Sequence, residues 1–121
     1  MSQEIISLPP FEVKHVVSTL SQVTDWGVKQ SHVPQTWSIT QGEGVRVMVI
    51  DTGFTDHRDL EGCTLADLSK SFVSSEPDIH DKNGHSSHCC GIIGARNNST
   101  GMVGVAPKCE IITVKVLSES G

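Results

Sequence analysis

Two apolar segments rich in β-branched residues stand out along a mostly polar chain. They are residues 45–50 (VRVMVI) and residues 111–117 (IITVKVL). Near-continuous apolar runs of this length are typical of strands buried on both faces of a parallel sheet. Between them, residues 86–95 (SSHCCGIIGA) are small and apolar, which favours a closely packed helix despite Gly91 and Gly94. The order strand, helix, strand predicts an α/β fold with a parallel sheet.

The pattern before the first predicted strand is weaker. Val33 and Trp37 are four residues apart and would share one helical face. This spacing predicts a helix over residues 30–37 with Ser31 as its N-cap, and Gly27 would break the chain before it.

The length, composition and charge of the chain argue against several classes of protein. The 121 residues are 36% hydrophobic and 19% charged, with a formal net charge of −5. That length indicates one domain or less, and the acidic balance argues against a nucleic-acid-binding protein. No apolar run approaches the roughly 20 residues of a membrane span. The acidic start MSQEIISLPPF has no apolar core of a secretory signal, which predicts a cytoplasmic protein, with a mature form whose signal is not visible in this sequence as the alternative. Free thiols are then expected at all four cysteines, Cys63, Cys89, Cys90 and Cys109.

Two residues are candidates for acid–base chemistry. Asp51 ends the first predicted strand, and catalytic groups gather at the carboxyl ends of parallel strands. His85 lies just before the predicted helix, where a neighbouring carboxylate would orient it as a general base. The alternatives are that Asp51 only forms a turn with Thr52 and Gly53, and that His85 is an ordinary surface histidine.

A zinc site is a competing interpretation of the same region. His80, His85, His88, Cys89 and Cys90 are close in sequence and offer nitrogen and sulfur ligands. Against zinc, the chain has no C-x2-C pair, and adjacent cysteines point to different faces of a helix.

Four motifs then occur in one order along the chain. They are VRVMVIDTG at 45–53, NGHSSHCCG at 83–91, GVAP at 104–107 and VKVL at 114–117. In this order and near this spacing they resemble the N-terminal half of a subtilisin-like serine protease. That family has a strand ending in D-[ST]-G, a helix starting H-G-T-H-[VC]-A-G, a G-V-A-P turn and a V-K-V-L strand. The resemblance implies an α/β, parallel-sheet, subtilisin-like fold of which this chain is the N-terminal part only, an incomplete domain.

The resemblance also implies roles. Asp51 matches the triad aspartate, His85 the general base, and His88 a second, non-catalytic histidine. The family's nucleophile lies in a G-T-S-M-A motif, which residues 1–121 do not contain, and its oxyanion asparagine is also missing. The implied function is a serine endopeptidase acting on extended polypeptides. We expect the chain alone to be inactive and the serine to come from a C-terminal portion or a second chain. The alternative is an inactive subtilase fragment that acts as a binding or complementing module.

The resemblance further implies a structural calcium ion. The family's ligands fall on the side chains of Gln22, Asp59 and Asn98 and on the backbone carbonyls of Arg96, Thr100 and Met102. Calcium takes six to eight oxygen ligands, which this set can supply. The alternative is a plain turn closed by its own hydrogen bonds. The segment from Asp51 to Asp59 is one residue shorter than usual in the family, and Arg58 replaces the usual proline.

The N-terminus resembles the intracellular branch of the family. Members of that branch carry an extension with an L-I-P-Y-like motif lying across the active site, and Leu8-Pro9-Pro10-Phe11 fits it loosely. We therefore expect residues 1–20 to be an extension that inhibits, and 21–121 to belong to the catalytic domain. An extended segment can add as a strand at a substrate cleft. The alternative is an unstructured tail.

Overall fold

The computed structural model describes residues 7–12, 14 and 21–121. Parallel strands organise it, as the sequence predicts. One sheet has the order β2-β5-β3 and a smaller one pairs β1 with β4. The strands are β1 Val23–Thr24, β2 Arg46–Asp51, β3 Lys70–Ser71, β4 Met102–Val103 and β5 Glu110–Lys115. The greater part of the predicted extension lies outside the described residues.

Two α-helices connect these strands. They are α1 Trp26–Gln30 and α2 His85–Gly94, and short 3-10 turns span Val33–Thr36, Arg58–Leu60 and Ala66–Leu68. Helix α2 is the predicted helix, begun one residue earlier at His85. None of the helices in the described part of the chain is long and apolar enough to cross a bilayer.

The predicted helix over residues 30–37 is wrong. The helix in this region is α1, and it starts earlier because the Asp25 side chain accepts a hydrogen bond from the backbone N–H of Gly27 at 3.1 Å. Gly27 therefore lies inside a helix and does not break it. Ser31 is the C-cap of α1, and Pro34 then favours a separate 3-10 turn.

The core lies between helix α2 and one face of the sheet. Its fully buried members are small or aliphatic and come from β2, β5, α2 and the loop between them: Val49, Leu60, Cys63, Cys90, Cys109 and Ile111. The other face of β2 is open, with Met48 58% and Ile50 62% exposed. The prediction that this strand is buried on both faces is therefore wrong for the described residues, which supply a helical layer on one side only.

Candidate active site

Asp51 and His85 meet at the carboxyl end of β2. The Nδ1 atom of His85 lies 2.9 Å from Oδ2 of Asp51 and 3.0 Å from Oδ1. Asp51 is buried at 8% exposure, and its Oδ1 also accepts the backbone N–H of Thr52 at 2.6 Å. The candidate pair from the sequence is thus in direct contact, although the two residues are 34 positions apart in the chain.

The loop before α2 sets the position of His85. Gly84 is the N-cap of α2 with φ of 97°, a left-handed conformation that glycine adopts at little cost. The side chain of Asn83 accepts the backbone N–H of His85 at 3.2 Å and donates to the backbone oxygen of Glu119 at 2.9 Å. The loop thereby fixes the first turn of the helix against the chain that follows β5.

Asp81 is a site residue that the sequence analysis missed. Its Oδ1 accepts hydrogen bonds from Thr52 Oγ1 at 2.8 Å and from the backbone N–H groups of Asn83 and Gly84 at 3.0 and 2.9 Å. Its Oδ2 accepts the backbone N–H and the hydroxyl of Ser87 at 2.8 and 2.6 Å. Burial raises the pKa of Asp81, but the hydrogen bonds from Ser87, Gly84 and Thr52 outweigh it and leave the pKa below its ordinary value. A carboxylate just before a helix start is the signal that could have found it.

A buried lysine anchors the other end of the same loop. Lys115 is paired with Asp51 in the β2–β5 register and is fully buried. Its Nζ lies 2.8 Å from Oε2 of Glu76 and donates to the backbone oxygen of His80 at 2.8 Å. The hydrogen bond from Lys115 lowers the pKa of the Glu76 carboxyl. The loop that delivers His85 is therefore held to the sheet at Lys115 and at Thr52.

This arrangement suits proton transfer. When Nδ1 of His85 donates to Asp51, the tautomer is fixed and Nε2 is left to accept a proton. The buried carboxylate also stabilises the imidazolium that proton uptake would create. The pair can therefore act as a general base oriented by an acid residue.

The residues of the zinc interpretation do not all come together. Asp51, His85 and Cys89 have ligand atoms within 4.8 Å of one another, the only such group among the described residues. The sulfur of Cys89 lies 3.7 Å from Nδ1 of His85. His80 instead stacks edge-on against Phe54, with ring centroids 5.7 Å apart. Cys90 points into the core. All four cysteines are free thiols in the structure, as expected.

The residues predicted to bind calcium meet at the end of β4. The Gln22 amide nitrogen donates to the backbone oxygen of Arg96 at 2.7 Å and lies 3.3 and 3.4 Å from those of Thr100 and Met102. Three carbonyl oxygens thus converge on one side-chain amide. Asp59 approaches from the other side, with Oδ2 accepting the backbone N–H of Met102 at 2.9 Å. Asn98 instead closes its own turn, because its Oδ1 accepts from the backbone and hydroxyl of Thr100, both at 3.3 Å.

The second carboxylate oxygen of Asp59 is left without a hydrogen bond. Oδ1 is buried and has no donor among the described residues. Arg58 Nε lies 3.6 Å away and His57 Nδ1 4.0 Å away, both on exposed side chains. A buried, anionic oxygen beside converging carbonyls fits a hard cation. The donor set present therefore suits calcium.

The described part of the N-terminal segment lies beside the Asp51–His85 pair. The ring of Phe11 packs edge-on against the His85 imidazole, with centroids 6.1 Å apart. Leu8 lies against Gly121, since a Cβ built on that glycine would be 3.3 Å from the Cβ of Leu8. Residues 7–12 carry no regular secondary structure.

Comparison with known proteins supplies the family. The model of the subtilase family matches residues 42–121, which contain both Asp51 and His85. The chain is 43% identical over 109 residues to a thermostable alkaline protease of Halalkalibacterium halodurans, covering 89% of this chain and 29% of that protein. It is 40% identical to thermitase of Thermoactinomyces vulgaris (79% of this chain, 34% of the relative) and 43% identical to subtilisin Savinase of Lederbergia lenta (84% and 36%). The chain thus spans about a third, or less, of the length of these relatives. The four motifs, the parallel sheet and the family match lead to one conclusion: the chain belongs to the subtilase family.

Proposed function

We propose that the chain provides the aspartate and histidine of a serine endopeptidase. The observation that carries the proposal is the 2.9 Å contact between Nδ1 of His85 and Oδ2 of Asp51 at the carboxyl end of a parallel strand. The names of the relatives support it, since they are proteases and a subtilisin. Peptide-bond hydrolysis by acyl transfer needs this pair together with a serine.

The proposed mechanism gives each residue one task. Nε2 of His85 takes the proton from the serine hydroxyl as its oxygen attacks the substrate carbonyl, and later gives a proton to the leaving amine. Asp51 holds the imidazole in the productive tautomer and balances the charge of the imidazolium. Asp81 touches no reacting atom in this scheme. It positions the start of α2, and with it His85.

The serine would come from outside residues 1–121, in sequence that continues the chain or in a second chain. The uncovered face of the sheet supports this partner. Met48 and Ile50 are exposed there, and their register partners Ile112 and Val114 on β5 are half-buried. Within the described residues β2 pairs only with β5, so its outer edge is open to another strand. Parallel sheets are normally covered on both faces, so this face fits further layers of a catalytic domain.

Complementation tests the proposal. Residues 1–121 would be mixed with the part of subtilisin Savinase that follows its matched region, and the mixture treated with a serine-directed fluorophosphonate. The proposal predicts labelling of the Savinase segment only when residues 1–121 are present, and its loss with His85→Ala. Association without labelling, in a mixture where the native Savinase N-terminal region does restore labelling, would favour the alternative of an inactive binding module.

We further propose that residues 1–20 inhibit the protease, with residues 21–121 as part of the catalytic domain. The edge-on contact between Phe11 and His85 supports this, because a chain lying there would exclude an extended polypeptide substrate. In the complemented enzyme, removal of residues 1–20 should raise the rate of peptide hydrolysis. The Phe11→Ala variant should raise it as well, whereas Glu12→Ala serves as the matched control on the same segment. Equal rates for all forms would contradict inhibition.

A structural calcium ion is also part of the proposal. Asp59 and Asn98 would hold it by side-chain oxygens, and Arg96, Thr100 and Met102 by backbone oxygens. Gln22 would join them by its side-chain oxygen once the amide, whose nitrogen now faces the three carbonyls, has turned over. The orphaned, buried Oδ1 of Asp59 is the support for it. When bound, the ion supplies charge neutralisation and cross-links the N-terminal segment to the β4 loop; it takes no part in bond cleavage.

A cytoplasmic location, as in the intracellular branch, is proposed on the four free thiols. Unpaired cysteines are typical of reducing compartments.

A further inference from the structure

Three of the four cysteines contribute buried side chains to one core cluster, although they come from distant parts of the chain. Cys63, Cys90 and Cys109 are each 0% exposed. A buried thiol often serves only as a small apolar side chain that fills space in the core. The positions of Cys63 and Cys109 relative to each other indicate a second role for these two thiols.

Cys63 and Cys109 lie on adjacent segments of backbone. Ile111 N donates to the backbone oxygen of Cys63 at 2.8 Å, and Thr64 forms a parallel bridge with Ile111. Neighbouring strands lie about 4.8 Å apart, inside the range of roughly 4.4–6.8 Å that the Cα atoms of a disulfide require. The two segments are therefore neighbours, and Cys63 and Cys109 are one position out of register across them.

The sulfur atoms of Cys63 and Cys109 both lie close to Gly94 of α2. A Cβ built on Gly94 of α2 would lie 2.8 Å from the sulfur of Cys63 and 3.0 Å from that of Cys109. The sulfur of Cys63 also lies 3.5 Å from the backbone oxygen of Cys109. The sulfur of Cys90, in the same cluster, lies 3.9 Å from the Ser86 hydroxyl.

We propose that Cys63 and Cys109, which are free thiols in the reduced chain, are a disulfide-forming pair that becomes linked when the chain folds in the presence of a small-molecule disulfide such as glutathione disulfide. The thiolate of one cysteine attacks glutathione disulfide, which forms a mixed disulfide and releases one glutathione thiolate. The thiolate of the other cysteine then attacks the protein sulfur of the mixed disulfide and releases the second glutathione. Two protein thiols are oxidised to one disulfide, and glutathione disulfide is reduced to two glutathione thiols that carry the two protons.

The reaction takes place during folding, after the two segments have come together and before the core has closed over the thiols. Burial raises the pKa of Cys63 to about 12, so the thiol stays protonated and unreactive once the core has formed. Cys89 is the only partly exposed cysteine and lies beside His85. Folding brings Cys63 and Cys109 together and keeps Cys89 apart from both, so the native fold selects one pairing.

The bond would lie far from the proposed chemistry. Cys109 precedes β5 and so lies at the amino end of the strand, whereas Asp51 and His85 are at the carboxyl end of the sheet. The bridge would close a loop spanning 46 positions, long enough to stabilise the fold substantially. The oxidised chain should thus gain stability with no change in the contact between Asp51 and His85.

Refolding under two redox conditions tests the pair. The reduced, denatured chain is refolded with glutathione disulfide and reduced glutathione, or with excess reductant; free thiols are then alkylated and the peptides mapped by mass spectrometry. We expect a 63–109 linked peptide in the oxidised sample, with Cys89 and Cys90 alkylated, and an upward shift of Tm by about 5–20 °C. A Cys90→Ser variant, the matched control, should keep the link, and Cys109→Ser should lose it.

Other results would overturn the proposal. Four alkylated thiols in the oxidised sample would show that the pair is only a packing element. A link between any other two cysteines, or a lower Tm in the linked chain, would also contradict it. The mapping is made on the unaltered chain, so a variant that fails to fold does not remove the test. The result is independent of protease activity.

Discussion

Thr52 Oγ1 donates a 2.8 Å hydrogen bond to Asp81 and accepts the backbone N–H of Ser86 at 3.0 Å. The residue that follows Asp51 is thereby tied to the residue that follows His85. One hydroxyl and one carboxylate connect the end of β2 to the first turn of α2, so the Asp51–His85 distance depends on them.

Asp81→Asn should therefore loosen the candidate site. The amide keeps one acceptor oxygen but loses the charge and the second acceptor for Ser87, so we expect a loss of about 2–4 kcal/mol in the free energy of unfolding. Urea unfolding would measure it. Asp78→Asn is the matched control, because Asp78 lies in the same loop, is exposed and bonds only its own neighbourhood around His80 and Lys82. Equal effects of both changes would contradict the role given to Asp81.

The lowered pKa of Asp81 predicts that the free energy of unfolding decreases at acid pH. Its pKa is lowered in the folded chain, so its contribution is complete above the unfolded value near 3.9 and is lost as pH falls through the folded value. Stability measured from pH 6 down to pH 2 should fall, and it should fall less steeply in Asp81→Asn. An identical slope in both proteins would show that Asp81 is not the group that titrates.

The buried thiols, when they are reduced, predict that the free energy of unfolding decreases at alkaline pH. Burial raises the pKa of Cys63 to about 12 and that of Cys90 to about 11, while unfolded cysteines titrate near 8.5. Between these values the unfolded chain loses protons that the folded chain keeps, so stability falls with rising pH, by at most about 1.4 kcal/mol per unit for each thiol. Thermal melts of the reduced chain at pH 8 and pH 10.5 would show it. The Cys90→Ser variant should lose less stability across this interval.

Two glycines of α2 should respond oppositely to alanine. A Cβ on Gly94 would lie 2.8 Å from the sulfur of Cys63 and 3.1 Å from Cδ1 of Ile111, whereas a Cβ on Gly91 would meet nothing within 4 Å. Gly94→Ala should destabilise the fold by about 1–3 kcal/mol through overpacking. Gly91→Ala should stabilise it by roughly 0.5–1 kcal/mol through helix propensity. Chemical denaturation of the two variants side by side decides this.

Calcium dependence follows from Asp59. If the ion binds where proposed, a chelator should lower Tm of the native chain, and Asp59→Asn should remove that response. Asp56→Asn, an exposed carboxylate on the same loop, should respond to the chelator as the unaltered chain does. A Tm that changes with neither calcium nor chelator would contradict the proposed calcium site.

The sequence predicted the elements whose patterns are local. The β-branched runs gave β2 and β5, and the small-residue run gave α2, because period and length fix those choices. The position of Asp51 at a strand end and of His85 before a helix made them candidates, with a turn and a surface histidine as the alternatives, and the family resemblance then assigned their roles. Gly27 was misread because a side-chain cap from Asp25 outweighs the weak helix propensity of one glycine.

Other features depend on contacts that sequence spacing does not show. Asp81 binds Thr52 across 29 positions, and its place shortly before α2 does not by itself reveal that bond. The face of β2 that carries Met48 and Ile50 was predicted to be buried but is exposed. An apolar strand has the same sequence pattern whether or not the described residues supply a layer over its second face. The pairing of Cys63 with Cys109 likewise arises only when Gly94 lets α2 approach both sulfur atoms.

The most direct test joins residues 21–121 to the part of subtilisin Savinase that follows its matched region and measures kcat/KM for a peptide substrate. The chimera should hydrolyse the peptide, His85→Ala and Asp51→Asn should each lower kcat/KM by about 10³-fold or more, and His88→Ala on the exposed side of α2 should leave it nearly unchanged. A folded chimera whose kcat/KM does not depend on His85 would contradict the account.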